Sequence, residues 1–211
     1  MPARLRPTAP IAADAILVGD PGRALMLAQV LLEQPKMSNH ARGLWGYSGL
    51  TPAGRELTIQ ATGMGGPSAS VVIADLAELG VRRAIRIGTC ASLGELELGG
   101  LLIVSEARTP AGGSALPDDG LTAGLSRALA GAHSGVALSL DTLHDPERDR
   151  PSLLAEAADM QTAALLSSSA ARGIAAAAVL IVTEKSDSGQ LRDEELEETA
   201  KRVAAAAATL L

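Results

Sequence analysis

Short apolar runs bounded by turn residues alternate along this chain with segments patterned as helices. That alternation restricts the possible folds more than any other property of the sequence. Strands are expected at 15–18, 45–50, 56–61, 84–88, 101–106, 135–140 and 177–182. Helices are expected at 24–33, 68–79, 121–130, 160–172 and 192–211. Pro35 is the expected stop of the first helix, and the "TPAG" turn joins 45–50 to 56–61 as a hairpin. Val72, Leu76 and Leu79 share one helical face, with Gly80 at the stop position. Asp193, Glu194 and Glu195 open the last helix, with Lys201 and Arg202 further on, the order a helix dipole favours. With 211 residues, the pattern predicts an α/β fold. The expected architecture is one domain over 1–211, a three-layer α/β/α sandwich around a mixed sheet. Ligands in such sheets gather at the carboxyl ends of strands.

Composition narrows the function. There is no Phe, one Trp and one Tyr, so the core must pack from Ala, Leu, Val and Ile. A formal net charge of −6 argues against a nucleic-acid footprint and against an anionic membrane surface. The single cysteine, Cys90, excludes an internal disulfide and a cysteine-based zinc site. His40, His133 and His144 have no metal-ligand spacing, so no metal is expected. "MPARLRPTAP" lacks an apolar signal core and no run is long enough to span a bilayer; the cytoplasm is the expected location.

One charge interrupts this pattern. In "RRAIRIGTCASL" (82–93), Arg86 stands inside an apolar strand. An interior guanidinium needs a compensating group. Either it is paired with a carboxylate elsewhere in the fold, or it serves with Thr89 as a fork of donors for an anion such as phosphate. Three other stretches have similar double readings. "VGDPGR" (18–23) is an ordinary strand-to-helix turn or, through Gly19 and Arg23, an anion turn. "ATGMGGPSAS" (61–70) is tight packing or a helix N-terminus offering N–H groups to a ligand. It does not match the Walker or dinucleotide spacings. "ADMQTAAL" (158–165) places Asp159 as a helix cap or, with Gln161, as a site group. In "SDSG" (186–189), Asp187 is a turn aspartate or a general acid.

Taken in order, "VGDPGR", "NHARG", "TGMGGPS", "RIGTCASL", "LDTLH", "ADMQTAAL" and "SDSG" resemble the bacterial nucleoside phosphorylase family, which includes purine nucleoside and uridine phosphorylases. The resemblance runs from about residue 14 to about 190. It implies a nucleoside phosphorylase-like fold and phosphate-dependent cleavage of a ribonucleoside to free base and ribose 1-phosphate. Phosphate is then a co-substrate and no cofactor is needed. It assigns Gly19, Arg23, Arg42, Arg86 and Thr89 to phosphate, with Arg42 donated by a neighbouring subunit. It assigns Met64, Cys90, Ala91, Leu143, Asp159, Met160 and Gln161 to the nucleoside, and Asp187 to protonation of the leaving base. It also implies a homo-oligomer, a hexamer built as a trimer of dimers.

The chain departs from that family in three places. Gln161 stands where the family has a glutamate for the ribose hydroxyls. Leu143, followed by His144, stands where a phenylalanine stacks on the base. No histidine precedes Gly19, where the family donates one to the 5′ hydroxyl; Thr8 and Arg6 lie in that region. Glu147 and Asp149 fall near the positions of the uridine-type Gln and Arg. The phosphate half is therefore expected intact and the nucleoside half altered. Besides a phosphorylase, two readings remain: a non-catalytic homologue keeping a phosphate pocket, and a nucleoside hydrolase of the same fold.

Overall fold

A computed structural model describes residues 4–142, 154–185 and 189–211. Four parallel strands form its middle: β1 (Asp14–Val18), β4 (Glu56–Ala61), β5 (Arg83–Ser92) and β10 (Ala175–Lys185). Most of their residues are buried and the exceptions lie mainly at the strand ends, as strands covered on both faces require. Outside β4 the chain continues antiparallel through β3 (Gly46–Leu50) to the edge strand β2 (Glu33–Asn39). On the other side β9 (Ala157–Asp159) runs antiparallel to β5, while β8 (His133–Ser139) runs parallel to both β9 and β6 (Leu101–Arg108). β6 in turn pairs antiparallel with β10. Because β10 also pairs with β5, the path β5–β9–β8–β6–β10 closes on itself as a small ring. β7 (Ser114–Ala115) and β11 (Gly189–Gln190) are two-residue additions to β6 and β10.

Helices cover both faces. α1 (Pro21–Leu31), α3 (Asp119–Ala128) and α5 (Asp193–Leu210) pack with Ile85, Ile87, Val179 and Ile181. α2 (Gly65–Glu78) and α4 (Thr162–Ala170) pack with Ala84, Ala178, Leu180 and Val182 on the opposite face. Successive residues of β5 and β10 thus serve opposite cores, the two-residue period of a strand. Small side chains take the place that rings fill elsewhere: α5 buries Ala200, Val203, Ala204, Ala207 and Ala208. The expected three-layer mixed α/β architecture is the one observed.

Several boundaries differ from expectation. α1 starts at Pro21 rather than 24, because Asp20 caps it through the Arg23 amide and Pro21 supplies a preset φ. It ends at Leu31, and Pro35 lies inside β2 rather than stopping the helix. As an edge strand β2 tolerates a residue without an N–H. α2 begins at Gly65, before Ser68. Residues 157–161 are not helical: 157–159 form β9, and α4 starts only at Thr162.

The parallel register fixes where a site can form. Val18 is level with Ala61 on one side and with Ile87 on the other. The loops following β1 and β4 therefore emerge beside residues 86–90 of β5.

Candidate functional site

Those three chain segments enclose a cleft of about 380 Å³. Its walls come from Gly19, Asp20, Pro21 and Arg23 after β1, Gly63–Gly65 after β4, and Arg86, Gly88 and Thr89 on β5, with a fourth segment, Met160 and Gln161 before α4, completing them. A Cβ at residue 19 would lie 3.4 Å from the Gly63 carbonyl oxygen, so the first two loops pack backbone against backbone. α2 opens directly from the Gly-rich turn with no side chain capping it. Its first amides face a region where two guanidinium groups converge.

Arg86 is 4% exposed. Its Nη2 pairs with Asp159 Oδ2 at 3.0 Å, its Nη1 donates to Gln161 Oε1 at 2.8 Å, and its Nε donates to Thr162 Oγ1 at 3.1 Å. The side chain can fold along the strand because residue 88 is glycine: a Cβ there would lie 2.6 Å from Arg86 Nη2 and 2.8 Å from Leu180 Cδ2. The two readings of Arg86 prove compatible. A carboxylate compensates its charge, and the residue still lines the cleft.

Asp159 is that carboxylate. It is 1% exposed and accepts from the Gln161 and Thr162 amides, from Thr162 Oγ1 at 2.6 Å and from Ser139 Oγ at 2.6 Å. Every approach to it is taken by protein donors, and it is not among the cleft-lining residues. Expected at the nucleoside, in this chain it holds Arg86 and tethers the start of α4. Gln161 does line the cleft, yet its amide is also engaged by the protein, with Thr62 Oγ1 donating to Oε1 at 3.0 Å and Nε2 donating to Gly63 O at 2.7 Å and Gly65 O at 3.2 Å.

Arg23 lies half-buried across the cleft. Burial pushes its guanidinium below the usual value; Asp20 pulls it back up, Arg86 adds to the lowering, and Glu197 opposes it. Two like charges facing one cavity are relieved by an anion between them. Thr89, half-buried at the end of β5, adds a hydroxyl to the same wall. Met64, 81% exposed, and the half-buried Met160 supply apolar surface.

The other expected residues are placed differently. Cys90 and Ala91 are 2% and 6% exposed and do not line the cleft; the Cys90 thiol points to the Ile181 carbonyl. Burial, with Asp159 nearby, pushes that thiol strongly up, so it stays protonated. The strand carries both residues past the cleft into the ring of β5, β9, β8, β6 and β10. Arg42 is exposed on a 3₁₀ turn at Ala41–Gly43, with φ +60°, and does not line the cleft of its own chain. Asn39 Nδ2 and Gln60 Nε2 both hold the Leu44 carbonyl behind that turn. Leu143 and Asp187 lie outside the described residues.

Sequence reasoning missed Asp20, Thr62 and Thr162 as members of the site. Asp20 had a local signal, an N-cap residue followed by proline. Thr62 and Thr162 had none, because their partners are 99 and 76 residues away.

Comparison with known proteins agrees with this arrangement. Residues 14–211 match the family described as the phosphorylase superfamily. The DeoD-type purine nucleoside phosphorylase of Oceanobacillus iheyensis is 43% identical over 84 residues, 39% of this chain and 35% of that protein. The chain thus spans about a third of that relative's length. The DeoD-type enzyme of Alkaliphilus metalliredigens is 32% identical over 176 residues, covering 74% of this chain and 75% of that one. A crystal structure of purine nucleoside phosphorylase from Toxoplasma gondii in complex with immucillin-H superimposes with a TM-score of 0.83 at 23% identity, covering 95% of this chain and 92% of that one, which establishes the fold. On the sequence match, the chain belongs to the phosphorylase superfamily.

Proposed function

We propose that this protein is a nucleoside phosphorylase that cleaves purine ribonucleosides with inorganic phosphate, releasing the free base and ribose 1-phosphate. The observation carrying this reading is the convergence of Arg23, Arg86 and Thr89 on one cleft bordered by the α2 N-terminus and by Met64 and Met160. The DeoD-type relatives favour a purine base.

Phosphate bridges the two guanidiniums, which hold it for attack and remove much of the entropic cost of bringing anion and sugar together. A phosphate oxygen bonds the anomeric carbon as the bond to the base nitrogen breaks, and the electron pair leaves with the base. Asp187 donates a proton to that base, and the cationic sugar is stabilised by the anion beside it. Gly19 lets the first loop approach the phosphate, and Arg42 completes the site from a neighbouring subunit of a homo-oligomer. Phosphate is a co-substrate here, and no other cofactor enters the scheme.

An ultraviolet assay of inosine, adenosine, guanosine and uridine, with and without phosphate, tests the reading. Cleavage of the purine nucleosides only when phosphate is present is the expected result. Equal cleavage without phosphate makes the protein a hydrolase. No cleavage of any nucleoside, with phosphate still bound in calorimetry, makes it a non-catalytic homologue.

A further inference from the structure

We propose that Gln161 is a positioning residue: its side-chain amide clasps the 63–65 turn onto the Arg86 strand end, and the sugar is not its ligand. The inference deepens the phosphorolysis reading, on which only its kinetic arm rests.

A glutamine amide has two acceptor positions on oxygen and two N–H donors. In this chain all four are occupied by protein groups. Oε1 receives Arg86 Nη1 at 2.8 Å and Thr62 Oγ1 at 3.0 Å. Nε2 gives its hydrogens to Gly63 O at 2.7 Å and Gly65 O at 3.2 Å. The residue is 3% exposed. A sugar hydroxyl could bind it only by displacing one of these four partners from a buried position, which leaves that partner unsatisfied.

The turn needs such a clasp. Gly63 and Gly65 have φ of +72° and +80°, a region in which glycine has little intrinsic preference for one conformation. Met64 between them is exposed, and no side chain caps α2. Apart from Gln161, the segment is held from its flanks: the Thr62 backbone amide donates to Val18 O, and Ser68 Oγ donates to Thr62 O. The two bonds from Nε2 are side-chain bonds to the glycine carbonyls themselves, the one to Gly65 O at the first residue of α2.

Chemistry makes glutamine the residue for this task. A glutamate of the same shape would still accept from Arg86 and Thr62, but it has no hydrogen for the two carbonyls. Its carboxylate oxygen would face Gly63 O and Gly65 O across 2.7 and 3.2 Å, oxygen against oxygen. It would also put a second negative charge on Arg86 beside Asp159, weakening the field that holds an anion. Gln161 therefore keeps the turn closed while leaving the cleft more positive.

The test uses the full chain as wild type, Gln161→Glu and Gln161→Ala. Hydrogen exchange read by mass spectrometry should show the bonded amides on either side of the turn, Thr62 and the first helical turn of α2 at 68–69, exchanging about tenfold faster or more in both variants, with β1 and β10 unchanged. Thr62→Val, a milder change, should accelerate the same amides to a smaller extent. Unaltered exchange of Thr62 and 68–69 in all three variants overturns the clasp.

The kinetic arm compares inosine with 2′-deoxyinosine at saturating phosphate. Gln161→Ala should lower kcat/KM for both by the same factor, keeping their ratio within about twofold of wild type. A tenfold change in that ratio would make Gln161 a ligand of the 2′-hydroxyl and overturn the proposal. Gln161→Glu should raise the KM for phosphate. If wild type cleaves neither nucleoside, the phosphorolysis reading fails and the exchange arm alone decides the clasp.

Discussion

A guanidinium carries five N–H groups, and Arg86 commits one each to Thr162, Gln161 and Asp159. Two remain for an anion in the cleft. This division makes the consequences of substitution specific. Asp159→Ala removes the charge that compensates a residue 4% exposed and should destabilise the fold by about 3–5 kcal/mol, read from the urea midpoint. The double change Asp159→Leu with Arg86→Met removes both charges and should recover most of that loss, since no uncompensated ion remains. A double variant as unstable as Asp159→Ala would show that the damage comes from lost α4 tethering and not from the buried charge. Gly88→Ala is a second residue-scale test. Its methyl would lie 2.6 Å from Arg86 Nη2, so the guanidinium must move out of the cleft wall. The expected result is a loss of about 1–3 kcal/mol of stability together with a raised KM for phosphate; an unchanged KM would mean Arg86 does not hold it.

Single elements are secured by charges at their ends. α5 carries Asp193, Glu194 and Glu195 in its first turn and no basic residue in its last, so its C-terminal carbonyls depend on distant arginines. Arg55 donates to Ala208 O and Thr209 O, and Arg83 donates to Leu210 O and Leu211 O while pairing with Asp14. Arg55→Ala should cost about 0.5–1.5 kcal/mol and fray the last turn of α5, visible as faster amide exchange at 207–210 with α1 unaffected. The β6–β7 hairpin has an acid-sensitive clip. Arg108 and Ser114 donate to Glu106 and hold its carboxyl at about 2, below the usual value of 4.5. A depressed folded value means that the contribution is complete above about 4.5 and fades as pH falls towards 2. Glu106→Gln should therefore flatten the stability decline between those values, slightly, because the pair is solvent-screened. Elements are legible in the sequence where period and length are strong, as in β1, β4, β10 and α5. β2, reading EQPKMSN, has a proline and no alternation, and β9 has three residues; both exist because a neighbouring strand offers hydrogen bonds, which no local pattern records. The site shows the same division. Arg86 announces itself as a charge in an apolar strand, but its partner Asp159 lies 73 residues on, and without that contact the sequence leaves Asp159 between a helix cap and a site group. The closure of β5, β9, β8, β6 and β10 into the ring that carries Cys90 and Ala91 has no local signal, because it is a property of the assembled sheet.

The whole molecule poses a question that one chain cannot answer by itself. Arg23, Arg86 and Thr89 line the cleft, while Arg42 projects from an exposed turn that does not. That turn is closely specified: Arg42 holds φ +60°, a conformation non-glycine residues adopt at a cost, and two buried amides fix the carbonyl behind it. Such a device is wasted unless Arg42 has a fixed target. We propose that this target is the cleft of a second copy, a contact that is reciprocal in a two-fold dimer. Light scattering should then give at least twice the chain mass of 21.4 kDa. Mixing inactive variants supplies the sharper test. Arg42→Ala lacks the donated arginine but has an intact cleft, whereas Arg23→Ala has a damaged cleft but can still donate Arg42. Each alone should be nearly inactive. After subunit exchange, about half of the dimers are mixed and each holds one complete site out of two, so activity should recover to about a quarter of wild type. If Arg42 acted within its own chain, every site in every mixture would lack one arginine, and no activity would return.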